Sequence, residues 1–220
     1  MKVVMKLANN SDKMSLAAKM RRKRFQLFKQ LLNSISHPVN ILDIGGTQQF
    51  WEVMDFTDSD KAHITLLNVY QIETKYHNFT NVIGDATDLS GISDKSFDIV
   101  FSNSVIEHVG DFQQQQRMAD EVQRVGLRYF VQTPNYYFPI EPHFLFPGFQ
   151  WLPLSLRAYL LSHYDLGWIK KIPDFQEAKK FVAQIQLLKK KEFTSLFPEA
   201  TLYEEKVAGL TKSFVVYGGW

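Results

Sequence analysis

Asp43 is followed directly by Ile44-Gly45-Gly46-Thr47, an acid beside a glycine turn. The glycines let the backbone bend tightly and bring N–H groups close to a ligand, where a Cβ would obstruct the approach. Asp43 leaves its apolar run where a carboxylate can meet a cationic group. Gly84-Asp85-Ala86 and Ser102-Asn103-Ser104-Val105-Ile106-Glu107-His108 likewise set polar side chains at the ends of apolar runs. Histidine titrates near neutrality, so His108 and His143, the latter in Pro139-Ile140-Glu141-Pro142-His143, are candidates for proton transfer. His63, His77, His108 and His143 form no spacing that reads as a ligand set, and the carboxylates lack an EF-hand pattern. No metal is expected on that ground.

These residues must be positioned by an alternation of strands and helices. Val39–Ile44, His63–Val69, Asn81–Ile83, Phe97–Ser102 and Leu127–Gln132 read as short buried strands. Phe112–Val125 reads as an amphipathic helix with Met118, Ala119, Val122 and Val125 on one side and Gly126 as its stop. Phe25, Phe28, Leu32 and Ile35 share one face of a helix near 14–36, ended by His37-Pro38. This order predicts an α/β fold with parallel strands and helices on both faces. Residues 135–190 interrupt the rhythm as an aromatic, proline-rich excursion with helices expected near 153–163 and 174–190. Thr201–Val207 and Leu210–Tyr217 about Gly209 predict a closing β-hairpin.

The 220 residues suit one domain (1–220), with a basic N-terminal helix in 1–37 and a cap in 135–190. A 45% hydrophobic composition with 18 Phe excludes a mainly disordered chain. The absence of Cys excludes disulfides, thiolate metal sites and cysteine nucleophiles, and it fits a reducing, cytoplasmic location. Residues 1–32 hold nine Lys/Arg against the single acid Asp12, whereas the remainder holds 16 basic and 22 acidic residues. Such a basic segment reads either as a solvated helix face or as a surface for phosphates or anionic lipid. No signal peptide and no membrane span are expected.

Taken together, Ile41-Leu42-Asp43-Ile44-Gly45-Gly46-Thr47, Gly84-Asp85-Ala86 and Ser96-Phe97-Asp98-Ile99-Val100-Phe101-Ser102-Asn103-Ser104-Val105-Ile106-Glu107-His108-Val109 resemble the class I S-adenosylmethionine-dependent methyltransferases of the type-11 kind. The resemblance covers about residues 38–135. It implies a Rossmann-like, seven-stranded, mostly parallel sheet closed by the antiparallel hairpin, with S-adenosylmethionine as cofactor. It further implies that Asp43 orients the methionine ammonium and that the Gly45-Gly46-Thr47 backbone packs on the amino-acid part. Asp85 would accept from the adenine amine, Ala86 would offer its N–H to the ring, and Asn103 would line the junction with the acceptor. The chain departs from the family at Gln49, where the third glycine of the first motif falls, and at Asn68, which stands where an acid grips the ribose. Asn68 can bond a diol without charge assistance, so weaker binding is expected. Glu73 is the other candidate for the ribose.

The implied reaction is methyl transfer to a small-molecule acceptor by in-line displacement, with a base needed only for a tightly held proton. His108 is then either that base or a residue packing the following turn; His143 is either a second base or a turn histidine. The apolar stretch from Phe144 to Leu161 reads as a lid on the core, as a wall for an aromatic or lipid-like acceptor, or as a peripheral membrane contact. Nucleic acid is not the expected acceptor, because no Asn-Pro-Pro-Tyr type motif follows the fourth strand and the body is net acidic. A nicotinamide dehydrogenase would want Gly-x-Gly-x-x-Gly after the first strand, which Gly45-Gly46-Thr47-Gln48-Gln49-Phe50 does not supply. The alternative to an enzyme is a non-catalytic cofactor-binding or scaffold domain of the same fold, favoured by Asn68 and Gln49.

Overall fold

A computed structural model describes residues 15–57 and 60–220; Lys2, Lys6, Lys13 and Asp12 of the basic segment lie outside the described residues. Helix α1 (Leu16–Leu32) begins at Ser15, whose hydroxyl accepts from the Ala18 N–H at 3.0 Å. It ends before Ile35, shorter than the periodicity predicts. Strand β1 (Val39–Ile44) leads into α2 (Gln48–Val53), a helix the sequence reading did not anticipate, capped by Thr47. Then come β2 (Ala62–Asn68), β3 (Phe79–Ile83), β4 (Phe97–Asn103), a 3-10 turn (Ile106–His108), α3 (Phe112–Val125) and β5 (Gly126–Pro134).

The excursion holds a small hairpin, β6 (Ile140–Glu141) with β7 (Phe146–Pro147), followed by α4 (Leu154–His163) and α5 (Phe175–Ala183). The single helix expected near 174–190 is divided. After α5 the chain runs extended to Leu188, which bridges Asn135, and α6 (Lys190–Leu196) starts anew with Glu192 accepting from the Lys189 N–H. Strands β8 (Thr201–Val207) and β9 (Leu210–Gly218) close the sheet.

The seven-stranded sheet runs β3-β2-β1-β4-β5-β9-β8, with β1 to β5 parallel and β9 antiparallel to β5. Alternation along β1 sends Ile41 to one face and Leu42 and Ile44 to the other. One face packs Phe25 and Phe28 of α1 with Trp51 of α2, Phe101 and Phe130. The other packs Met118, Ala119, Val122 and Val125 of α3 with Phe193 and Leu196 of α6. The cap has its own apolar cluster, including Phe144, Phe149, Leu161 and Val182. Strand order reverses between β1 and β4, and the crevice beyond their carboxyl ends is where such sheets take ligands. No helix among the described residues is long and apolar enough to cross a membrane.

Candidate active site

The β1 turn is held from below and from the side. Asp43 is buried, and its Oδ2 accepts from Trp51 Nε1 at 2.7 Å. Gly45 sits at φ +67°, in the left-handed region, and a Cβ there would lie 2.6 Å from Val105 Cγ2. A Cβ on Gly46 would lie 1.8 Å from Asp43 Oδ2, so the carboxylate occupies the space that this glycine leaves. Burial pushes the Asp43 carboxyl up to about 8, opposed by the Trp51 bond.

Asn68 has a structural reason to be an amide. Its Nδ2 donates to the Gly46 carbonyl at 2.9 Å, a bond that a carboxylate cannot make. Gln49 is equally accountable: α2 has already begun at Gln48, and Gln49 is an exposed helical residue. Gly45 and Thr47 are exposed at the tip, and Glu73 is exposed in the loop after β2. Asp85 is exposed too; its Oδ1 accepts from the Thr87 N–H and hydroxyl, both at 2.8 Å, while neighbouring Ala86 is buried. Val69, Tyr70 and Ile83 expose apolar surface beside it at the ends of β2 and β3. Asn103 ends β4, with a buried Oδ1 that has no partner among the described residues. Exposed backbone at a glycine turn, apolar surface next to an exposed carboxylate, and an amide oxygen unpaired among the described residues together fit an amino acid-bearing nucleoside.

Past β4 the backbone is strained. Ser104 has φ +58°, and its N–H and hydroxyl reach the Gln132 carbonyl and Oε1 at 3.0 and 2.9 Å. The next residues bring together groups that the sequence scatters. His108 Nε2 lies 3.0 Å from His143 Nε2, and His143 Nδ1 lies 2.6 Å from Glu141 Oε1. Glu107 is fully buried; Oε2 accepts from the Thr133 hydroxyl at 3.0 Å, and Oε1 has no partner among the described residues. Burial pushes Glu107 up to about 7, against the charge of His143 and its own hydrogen bonds. His108 keeps an exposed surface, but its ring stands in a crowded, poorly hydrated spot against His143, and this desolvation and the charge of His143 push it down to about 4. Burial also works to lower His143, but the Glu141 bond and the charges of Glu141 and Glu107 outweigh it, so its pKa is raised. The sequence reading named both histidines but missed the role of Glu141, although it stands two residues before His143.

A cavity of about 270 Å³ opens at the ends of β4 and β5, between α1, the cap and the terminal hairpin. Ser104 and Gln132 line it at the sheet, and Pro142 and Leu145, either side of His143 in sequence, line it at the cap. Its apolar walls include Met20, Phe138, Ile140 and Trp168; its charged lining is Arg21, Arg24, Lys212 and Glu205. Arg24 Nη1 pairs with Glu205 Oε2 at 2.7 Å in a buried bridge, and the Ser213 hydroxyl donates to the same carboxylate. Burial and neighbouring Arg24 lower Arg21 to about 10, and the same two causes lower Lys212. Among the described residues neither forms an ion pair with a carboxylate. Three cations therefore share one anion in a largely apolar chamber. The sequence reading placed an acceptor wall in the cap and an anion-attracting charge in the N-terminal helix, but did not anticipate that Lys212 of β9 and Glu205 of β8 join them.

Residues 43–127 match the family model described as a methyltransferase domain. An uncharacterized protein of Mycobacterium tuberculosis, present in strains CDC 1551 and H37Rv, is 42% identical over 67 residues, which is 30% of this chain and 23% of that protein. The match thus spans under a quarter of the relative's length. Among solved structures, the CurJ carbon methyltransferase superposes with a TM-score of 0.58 at 10% identity, covering 93% of this chain and 55% of that one. The PH0226 protein of Pyrococcus horikoshii OT3 superposes with a TM-score of 0.50 at 19% identity, covering 90% and 89%. At these identities the structures speak for the fold.

Proposed function

We propose that the protein, whose residues 43–127 match a methyltransferase-domain family model and whose fold is that of the CurJ carbon methyltransferase, uses S-adenosylmethionine to methylate a small, partly apolar acceptor bearing an anionic group. The observation that carries this reading is the cavity at the ends of β4 and β5, apolar in its walls and holding Arg21, Arg24 and Lys212 against Glu205 alone. Desolvated cations without matching anions favour a carboxylate or phosphate ligand, and the apolar walls favour an aromatic or lipid-like body. Trp151, Leu156 and Tyr159 are exposed on the cap and would serve the peripheral membrane contact expected from the sequence.

The cofactor supplies an electrophilic methyl group on a sulfonium. The chain contributes position. The Gly45-Gly46-Thr47 backbone would hold the amino-acid end, with Asp43 bracing the turn and orienting the ammonium. Asn68 keeps the turn closed and would reach the ribose. Asp85 would accept from the adenine amine, Ala86 would donate its backbone N–H, and Asn103 would border the acceptor. His108 and His143 assist where the acceptor proton is tightly held. Alignment of this kind is worth about 7–11 kcal/mol in favourable intramolecular systems.

The test pairs calorimetry with S-adenosylmethionine and a labelled-methyl transfer assay on aromatic and fatty acids, each compared with its uncharged amide. Cofactor binding with turnover of acids over amides is expected, and Lys212→Met should raise KM for acids about tenfold with less effect on kcat. Equal turnover of acids and amides would remove the anionic acceptor. Binding without turnover on any acceptor would favour the non-catalytic module, and no binding would overturn the cofactor site.

A further inference from the structure

Glu107 and His108 follow β4, whereas His143 belongs to the cap, 35 residues beyond His108. Their ligating atoms nonetheless all lie within 4.8 Å of one another. We propose that these three residues bind a divalent transition-metal cation, zinc being the best match, beside the acceptor cavity. Spacing along the sequence argues against a metal only because it cannot register two segments that tertiary folding brings together.

Three features of the cluster suit an ion better than a chain of hydrogen bonds. First, with Zn–N bonds of about 2.1 Å, two nitrogens 3.0 Å apart subtend about 90° at a shared ion, an acceptable ligand angle. Second, Glu107 is fully buried with Oε1 unpartnered among the described residues. A histidine-to-histidine hydrogen bond leaves that oxygen unsatisfied, which is costly in a dry site; a cation satisfies it together with both imidazoles. Ligands of a tetrahedral ion stand about 3.4 Å apart, so the two imidazoles are already near that spacing and the Glu107 carboxylate, within 4.8 Å of them, moves inward as the ion binds.

The third feature is the surrounding support. Glu141 Oε1 holds His143 Nδ1 at 2.6 Å, while its Oε2 accepts the His143 and Phe144 backbone N–H groups, each at 2.7 Å. A carboxylate fixed in this way directs Nε2 of the imidazole at the ion and raises its basicity, as outer carboxylates do around metal-bound histidines. Two imidazoles with one carboxylate select zinc, cobalt or iron over magnesium or calcium, which prefer all-oxygen sites. His108 is exposed, so positions on the ion remain open. An acceptor hydroxyl bound there would be acidified by the ion. That role rests on the methyl-transfer reading; the binding of the ion does not.

The proposal is tested on the full chain, stripped with chelator and without cofactor, by titrating Zn2+ in a calorimeter and Co2+ with visible absorption. One ion per chain with a tetrahedral or five-coordinate cobalt spectrum is expected. His143→Ala and Glu107→Gln should each weaken binding at least 100-fold, and Glu141→Gln 10- to 100-fold. Circular dichroism identifies any variant that fails to fold; His143→Gln, which keeps the volume, then takes the place of His143→Ala. Absence of saturable binding to the wild type, or equal affinity in the folded variants, would overturn the site. Calorimetry with S-adenosylmethionine on the same samples separates this outcome from failure of the methyltransferase reading.

Discussion

Gly46 and Asp43 form the tightest coupling at the site, since one residue's missing side chain houses the other's carboxylate. Gly46→Ala forces that buried, Trp51-bonded group to move, and a loss of about 2 kcal/mol in urea denaturation is expected, with weaker cofactor binding. Gly91→Ala, where the added Cβ meets nothing within 4 Å, serves as the control and should change stability by no more than about 0.5 kcal/mol. Asp43 also sets a pH dependence. The folded protein keeps its proton up to about pH 8, while the unfolded chain loses it near 3.8. Between those values the unfolded state binds fewer protons, so this residue makes stability fall as pH rises. Asn in its place still accepts from Trp51 but carries no charge. From pH 5 to pH 8, Asp43→Asn should therefore gain on the wild type by about 2 kcal/mol or more; parallel denaturation profiles across that window would refute a buried, protonated Asp43.

Helix α1 is joined to β8 by the buried Arg24–Glu205 bridge as well as by its Phe25 and Phe28 face. Removing the shared anion strands cations in a dry place, so Glu205→Leu should cost about 3–5 kcal/mol, more than Arg24→Met, which leaves Arg21 and Lys212 beside Glu205. Arg24→Met with Glu205→Leu should recover part of that loss, because the most deeply buried of the stranded cations is then gone as well. A double variant as unstable as Glu205→Leu alone would show that the destabilisation comes from packing. Much of the element layout was legible in the sequence, because apolar runs ended by glycine or polar residues mark strands in any context. The extent of α1, the short α2 and the break between α5 and α6 were not. At the break between α5 and α6 tertiary contacts override the periodicity: Leu188 leaves the helical path to bridge Asn135, and Gln186 accepts at its carbonyl from Gln115 of α3 at 2.8 Å.

At the scale of the molecule, the cap is a second cluster laid over the carboxyl end of the sheet. Phe149 and Phe144 pack within it at 4.2 Å between ring centroids with their planes tilted by 33°, both buried. Phe149→Ala should weaken the cap by about 3 kcal/mol. In hydrogen exchange this should appear as about 100-fold faster exchange in α4 and α5, with β1 and β4 unchanged, since separate clusters open separately. Acceleration spread evenly over sheet and cap would mean that they form a single cooperative unit. The cap also completes the chamber proposed for the acceptor, so on that proposal loosening it should raise acceptor KM and leave cofactor affinity intact.

By itself the sequence determined the α/β alternation, the glycine turn after β1, the polar ends of β2, β3 and β4, and the family those features resemble. All of these are local: a short stretch carries its own hydrophobic pattern and its own turn chemistry. Only the tertiary structure decided what those ends face. The Asp43–Trp51 brace and the Asn68 clamp on Gly46 depend on side chains meeting across elements. The chamber charged by α1 and β9, and the meeting of Glu107 and His108 with His143, join segments far apart in the chain. Such proximities are set by how sheet, helices and cap pack together, a property that linear spacing does not encode.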